Sequence, residues 1–118
     1  MEHRFSRTEL VLGAESLKRL ADTKVAVIGV GGVGGYVAEA LARSGIGGLV
    51  LVDHDVVSLT NLNRQIIALD STLGRPKVEV MAERVREINP GCQVEMQQVY
   101  YEKDLHSDLI SSDVSFVA

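Results

Sequence analysis

With 118 residues the chain has room for one domain, and its hydrophobic fraction of 46% suits a soluble globular core. Aromatic residues are only 4%, so that core is built from Val, Leu, Ile and Ala, the composition of an α/β sheet buried on both faces. Twelve basic against sixteen acidic residues (formal net charge −4) argue against a dedicated nucleic-acid module, and the single Cys92 rules out an internal disulfide and fits a reducing compartment.

In chain order, Met1 to Arg7 has no apolar stretch of the secretory type, and no segment approaches the ~18 apolar residues that a bilayer span needs. A cytoplasmic protein is therefore expected. Ser6 followed by Glu9 is a capping-box pattern opening a short helix that Gly13 ends. A second helix is expected over Ala14 to Ala21, with Leu17 and Leu20 on one side. Lys24 to Val30 is a continuous apolar run bounded by glycine, hence a buried strand. After a glycine-rich turn, Val33, Val37 and Leu41 at four-residue steps predict one face of a helix closing near Ser44-Gly45. Leu49 to Val52 is a second buried strand, ending at Asp53.

Asp55 to Ile67 lacks a period and is polar, a functional loop with room for one helical turn. Pro76 suits the first turn of a helix on which Val78, Met81, Val85 and Ile88 share a face, and Asn89-Pro90-Gly91 stops it. Cys92 to Val99 is a third strand, with Val94 and Met96 alternating. Tyr101 to Ile110 is a further helix, and a last strand starts near Asp113. The order β-α-β-α-β-α-β implies a Rossmann-like α/β fold, a doubly wound parallel sheet with right-handed crossovers, behind a helical N-terminal arm. The arm is assigned to residues 1–22 and the nucleotide-binding units to 23–118. Val114 to Ala118 reads as a strand inside which the sequence stops, so a fragment of a longer protein, truncated after its fourth strand, is expected.

Gly29-Val30-Gly31-Gly32-Val33-Gly34 matches G-x-G-x-x-G. Alone the match is weak, but it follows a predicted strand, opens a helix, and has Asp53 about twenty residues on at the end of the next strand. Glycines at Gly29, Gly31, Gly32 and Gly34 let backbone N–H groups approach a phosphate, and the helix N-terminus favours the anion. Asp53, acceptor-only as a carboxylate, suits ribose hydroxyls. The ordinary alternative is that these glycines only allow helix and strand to pack closely.

The loop beyond Asp53 bears on which nucleotide is bound. Asp55 and Thr60-Asn61-Leu62-Asn63-Arg64-Gln65 are polar and follow the carboxyl end of the second strand, the edge that lines the ligand crevice of an open α/β sheet. A triphosphate needs cations, and Arg64 offers a bidentate fork and Lys77 a point charge. Each has a bland reading: Arg64 as a surface cation, Lys77 as a solvated helix residue, Asn61 and Asn63 as makers of Asx-turns. A nicotinamide-binding dehydrogenase or regulatory domain is the alternative of another class.

Together, Gly29 to Gly34, Leu51-Val52-Asp53-His54-Asp55, Thr60 to Gln65 and Gly74-Arg75-Pro76-Lys77 resemble the motifs of the ThiF/MoeB/ubiquitin-activating superfamily, in order and over nearly the whole chain. Arg4 to Leu10 and Glu39 to Gly47 look most like its tRNA threonylcarbamoyladenosine dehydratase branch. The resemblance implies ATP and Mg2+ as cofactors and adenylation of a carboxylate. The substrate is either a threonylcarbamoyl group on tRNA, cyclised with loss of water, or the C-terminus of a ubiquitin-like sulfur carrier. It implies that Asp53 holds the ribose, that Gly31 and its neighbours lie along the phosphates, and that Asn61, Arg64 and Lys77 contact the triphosphate. Arg7 resembles an arginine that reaches a phosphate across a homodimer interface; its ordinary reading is a solvated arm residue. The family's magnesium-linked aspartate falls beyond Ala118, so no metal ligand is assigned in this chain. Cys92 reads as a structural thiol, and the isolated chain is expected to be inactive.

Overall fold

A five-residue run of Lys24-Val-Ala-Val-Ile alternates its side chains between two apolar faces and so can only be satisfied at the centre of a sheet. The computed structural model, which describes residues 3–100, 114 and 116–118, builds it there. The elements are α1 (Ser6–Leu12), α2 (Ala14–Ala21), β1 (Lys24–Ile28), α3 (Gly32–Ser44), β2 (Gly48–Val52), α4 (Lys77–Ile88), β3 (Gln93–Gln97) and β4 (Phe116–Val117). All pairings are parallel and the strand order is β3-β2-β1-β4, so β1 is flanked on both sides. The chain turns back at β1: β2 and β3 build outward on one side, β4 on the other. That reversal leaves a crevice at the carboxyl end of β1. This is the Rossmann-like arrangement expected from the alternation of strands and helices.

One face of the sheet carries Val25, Val27, Leu49 and Leu51, which meet Ala38 and Ala42 of α3 and Val78, Met81, Ala82 and Val85 of α4. The opposite face carries Ala26, Val50 and Val52, joined by Ile28, Val99 and Val114. The expected helix over Tyr101 to Ile110 lies outside the described residues.

Four local expectations are corrected. The face of α3 that meets the sheet is centred on Gly35, Ala38 and Ala42, with Val37 and Leu41 packed at its edge and Val33 outside it. The reason is steric: a Cβ at Gly35 would stand 2.6 Å from the Val30 carbonyl oxygen, so only the smallest residues let α3 come this close. β1 ends at Ile28 rather than Val30, because Gly29 turns away. Ser6 does not cap α1; its hydroxyl accepts from the His3 N–H at 2.6 Å, and Glu9 faces His3 instead. β3 is shorter than the expected Cys92 to Val99, and as a sheet edge it leaves Met96 exposed. Cys92 is buried just before it, as a structural thiol should be.

The arm is fastened to the far end of α3. Gly45 ends that helix in a left-handed conformation (φ 95°), and Phe5 and Leu17 lie 3.5 Å from where its Cβ would be. The Gly47 N–H donates to the Leu20 carbonyl at 2.9 Å, and an Arg4 Nη1–H donates to the Ile88 carbonyl at 3.2 Å.

Candidate nucleotide site

The glycines of the loop serve separable purposes. Gly29 and Gly32 have φ of 83° and 52°, a region that L side chains seldom adopt. At Gly34 a Cβ would stand 1.6 Å from the Gly29 carbonyl oxygen, so this residue is there for helix–strand packing. At Gly31, the N-cap of α3, the nearest atoms to a Cβ would be the carboxamide of Gln65 at 2.7–2.9 Å. No side chain caps this helix end, which leaves its first-turn N–H groups pointing into the crevice.

Asp53 is the joint of the site. One carboxylate oxygen accepts from the Val30 N–H of the glycine loop at 2.9 Å, and the other from the Asp55 N–H at 2.9 Å. The side chain is half-buried, and each oxygen keeps a further lone pair for a ligand hydroxyl. Asp55 in turn ties the loop to α4. Its carbonyl accepts from the Lys77 N–H at 3.0 Å, and its carboxylate lies 3.9 Å from the Lys77 Nζ. A bridge between Val56 and Pro76 fixes the same junction. Pro76 sits just before the helix rather than within it, and Lys77 is buried at its first position. A buried ammonium with one distant carboxylate is a ready partner for an anion.

Beside Asp53, at the carboxyl ends of β1 and β2, lies a cleft of about 270 Å³ lined by Ile28, Asp53, His54, Val99 and Tyr100. The His54 and Tyr100 rings meet edge-on at 5.0 Å and form its outer wall. Neither was singled out in the sequence, although an aromatic residue just beyond a third parallel strand sits where such a crevice opens. A larger cavity of about 440 Å³ lies under the arm beside Phe5, Leu17, Gly45 and Asn89. It has neither a carboxylate nor a phosphate-binding turn and is the seam between arm and sheet.

The polar loop forms the expected helical turn, a 3₁₀ turn over Leu59–Asn61. Asn61 is buried and its side-chain oxygen accepts from the Ser58 N–H at 2.9 Å, so it holds the turn. Arg64 is exposed and donates to the Thr60 carbonyl at 2.7 Å and the Asn63 side-chain oxygen at 3.1 Å. Arg64 and Asn63 therefore engage each other and not the glycine loop. Arg7, on the exposed side of α1, is two residues from the Phe5 contact with Gly45. Thirteen helical residues separate that contact from Gly31, roughly 20 Å at 1.5 Å per residue.

Asp53, His54 and Asp55 bring one potential ligand atom each within 4.8 Å. The Lys77 ammonium, 3.9 Å from the Asp55 carboxylate, competes with a cation at that end of the set.

The model of the ThiF family matches residues 5–118. The chain belongs to the ThiF family. Among its relatives is the tRNA threonylcarbamoyladenosine dehydratase of Bacillus subtilis, 48% identical over 117 residues, which covers 99% of this chain and 46% of that protein. The Escherichia coli tRNA N6-threonylcarbamoyladenosine dehydratase, solved in complex with ATP, superposes with a TM-score of 0.93 at 46% identity, covering 97% of this chain and 47% of that one. The molybdopterin-synthase adenylyltransferase of Escherichia coli is 45% identical over 78 residues, 66% of this chain and 30% of that protein. The chain thus spans about half the length of the dehydratases it matches, and within the ThiF family its resemblance to that branch extends over the greater part of the sequence.

Proposed function

We propose that this chain supplies the ATP-binding part of an enzyme that adenylates a carboxylate, the threonylcarbamoyl group on a tRNA adenosine. The observation that carries the reading is Asp53, which ties a glycine turn to the loop bearing Lys77 in a chain 46% identical to an ATP-bound dehydratase. Residues 1–22 act as an arm and 23–118 as the nucleotide-binding units. The Asp53 carboxylate accepts the ribose hydroxyls with the lone pairs its backbone partners leave free. The uncapped N-terminus of α3 at Gly31 and Gly32 receives phosphate oxygens. Lys77, held by Asp55, supplies positive charge to the triphosphate, and Arg64 joins it after leaving Thr60 and Asn63. Asn61 holds their loop, and Asn63 releases Arg64.

In the reaction a carboxylate oxygen attacks the α-phosphorus, the bond to the bridging oxygen breaks, and pyrophosphate leaves. The mixed anhydride is then attacked by a nucleophile within the same threonylcarbamoyl group, which expels AMP and closes the ring. The net change is loss of water from the substrate. Lys77 and Arg64 stabilise the charge that grows on the departing phosphates. Arg7, two residues beyond the Phe5 contact at the far end of α3, acts on the site of a partner in a homodimer. Mg2+ would accompany the nucleotide and draw negative charge from its phosphates. Among the described residues no helix is long and apolar enough to cross a membrane, and a cytoplasmic site of action suits a tRNA substrate.

The test has two stages. Calorimetric titration should give binding of ATP and none of NAD; the reverse result would return the chain to the dehydrogenase reading. ATP–pyrophosphate exchange by the complete enzyme should then depend on threonylcarbamoylated tRNA. Exchange that requires a ubiquitin-like protein instead would move the assignment to the adenylyltransferases of sulfur carriers.

A further inference from the structure

Gln65 belongs to the polar run beside the glycine turn, but no part of the mechanism above uses it. Its backbone is fixed: the N–H donates to the Asn61 carbonyl at 2.9 Å and the carbonyl accepts from the Ala68 N–H at 3.0 Å. From this anchor the side chain crosses to Gly31. Measured from the point where a Cβ on Gly31 would stand, Oε1 is at 2.7 Å, Cδ at 2.9 Å and Nε2 at 2.9 Å. Three nearly equal distances mean that the amide lies flat over that glycine. Its Oε1 is sealed from solvent and has no hydrogen-bond partner, the one buried side-chain polar atom in that condition among the described residues. Such groups are nearly always paired in folded proteins, and an exception next to a binding turn calls for a ligand.

Oε1 is an acceptor, as a phosphate oxygen is, so a phosphate pairs with this amide only through its Nε2 end. The uncapped first turn of α3 begins at Gly31, directly beneath the amide. An anion drawn to those N–H groups comes to rest beside Gln65. A half-turn about the Cγ–Cδ bond exchanges Oε1 for the Nε2 donor with little change of shape. We propose that Gln65 is a phosphate-contacting residue of the nucleotide site, with its carboxamide clamped on Gly31 and donating from Nε2 to a phosphate oxygen. This rests on the ATP reading above. It also gives Gly31 a purpose distinct from that of Gly34: any side chain at position 31 would expel the amide.

Calorimetric titrations of ATP, AMP and adenosine into the wild-type protein, Gln65→Met and Gln65→Glu test it. Loss of one hydrogen bond to a charged group should weaken ATP about tenfold in Gln65→Met. Gln65→Glu sets a carboxylate against the phosphate and should weaken ATP and AMP further, while adenosine binds all three proteins equally. Thermal melts on the same samples report folding, and Gln65→Met conserves volume if the charged variant does not fold. ATP binding as tight in both variants as in the wild type would overturn the proposal and leave the nucleotide reading intact. An equal loss for adenosine and ATP would also overturn it, since that marks packing alone. A wild-type protein that binds no ATP would refute the nucleotide reading itself. Gly31→Ala displaces the amide and should weaken ATP with little change in melting temperature; ATP binding as tight as in the wild type would contradict the clamp.

Discussion

Replacing Asp53 by alanine removes two hydrogen bonds at once, one to the Val30 N–H and one to the Asp55 N–H, both 2.9 Å. A hydrogen bond to a charged group contributes roughly 1.5–3 kcal/mol net. The carboxylate is half-buried, and water can take up part of the bonding in the variant, so the pair is worth about 2–4 kcal/mol. Against a total of about 5–15 kcal/mol for a domain, that is a large and measurable loss. Asp53→Asn should lie between wild type and alanine. Its amide oxygen can keep one N–H, while its NH2 group meets the other donor. Urea denaturation followed by circular dichroism should give a lower midpoint with an unchanged slope. The nucleotide should bind more weakly still, because the glycine turn is no longer held. A stability loss below about 0.5 kcal/mol for Asp53→Ala, the range of an ordinary surface change, would refute the view that this side chain joins the two loops.

Three further outcomes follow from the same geometry. Gly34→Ala should leave little folded protein by circular dichroism, because its Cβ would fall 1.6 Å from the Gly29 carbonyl oxygen and neither backbone can yield without parting α3 from β1. Met81→Ala, at a fully buried site between α4 and the sheet, should lower stability by about 2–5 kcal/mol in urea titrations. Burial lifts the Cys92 thiol from 9.0 to about 11. Between those values the unfolded chain has given up the proton that the folded chain keeps, so stability should fall as pH rises through this window. The comparison with Cys92→Ala isolates that slope, and parallel curves for the two proteins would contradict it.

The strands were legible because their chemistry is unambiguous. Val25 to Ile28 and Leu49 to Val52 are apolar at every position, a pattern that serves only strands covered on both sides, and the five-residue register between them follows. The centre of the α3 face was misread because periodicity counts large apolar residues, whereas close approach to the Val30 carbonyl selects small ones. At the site, Gly29 to Gly34 and Asp53 were readable from spacing. The Asp53 bond to the Val30 N–H was not, since it joins residues 23 apart through the fold. Gln65 lay inside a quoted motif and still escaped notice. Its meaning depends on its distance to Gly31, which no local pattern encodes. Arg64 shows another limit: the residue type suggested a phosphate ligand, but not that its Nη1 would donate to Thr60 and Asn63.

Neither α1 nor α2 contains a buried residue. They hold to the body through Phe5, Leu17 and Leu20 and a few backbone bonds, while β1 and β2 are sealed. Amide protons in the two parts should therefore exchange with solvent by different routes. Those of β1 and β2 await global unfolding, and those of the arm escape through a local opening of much lower free energy. The chain is in this sense two cooperative units of unequal strength, with Gly45 and Gly47 as the seam along which the weaker one lifts.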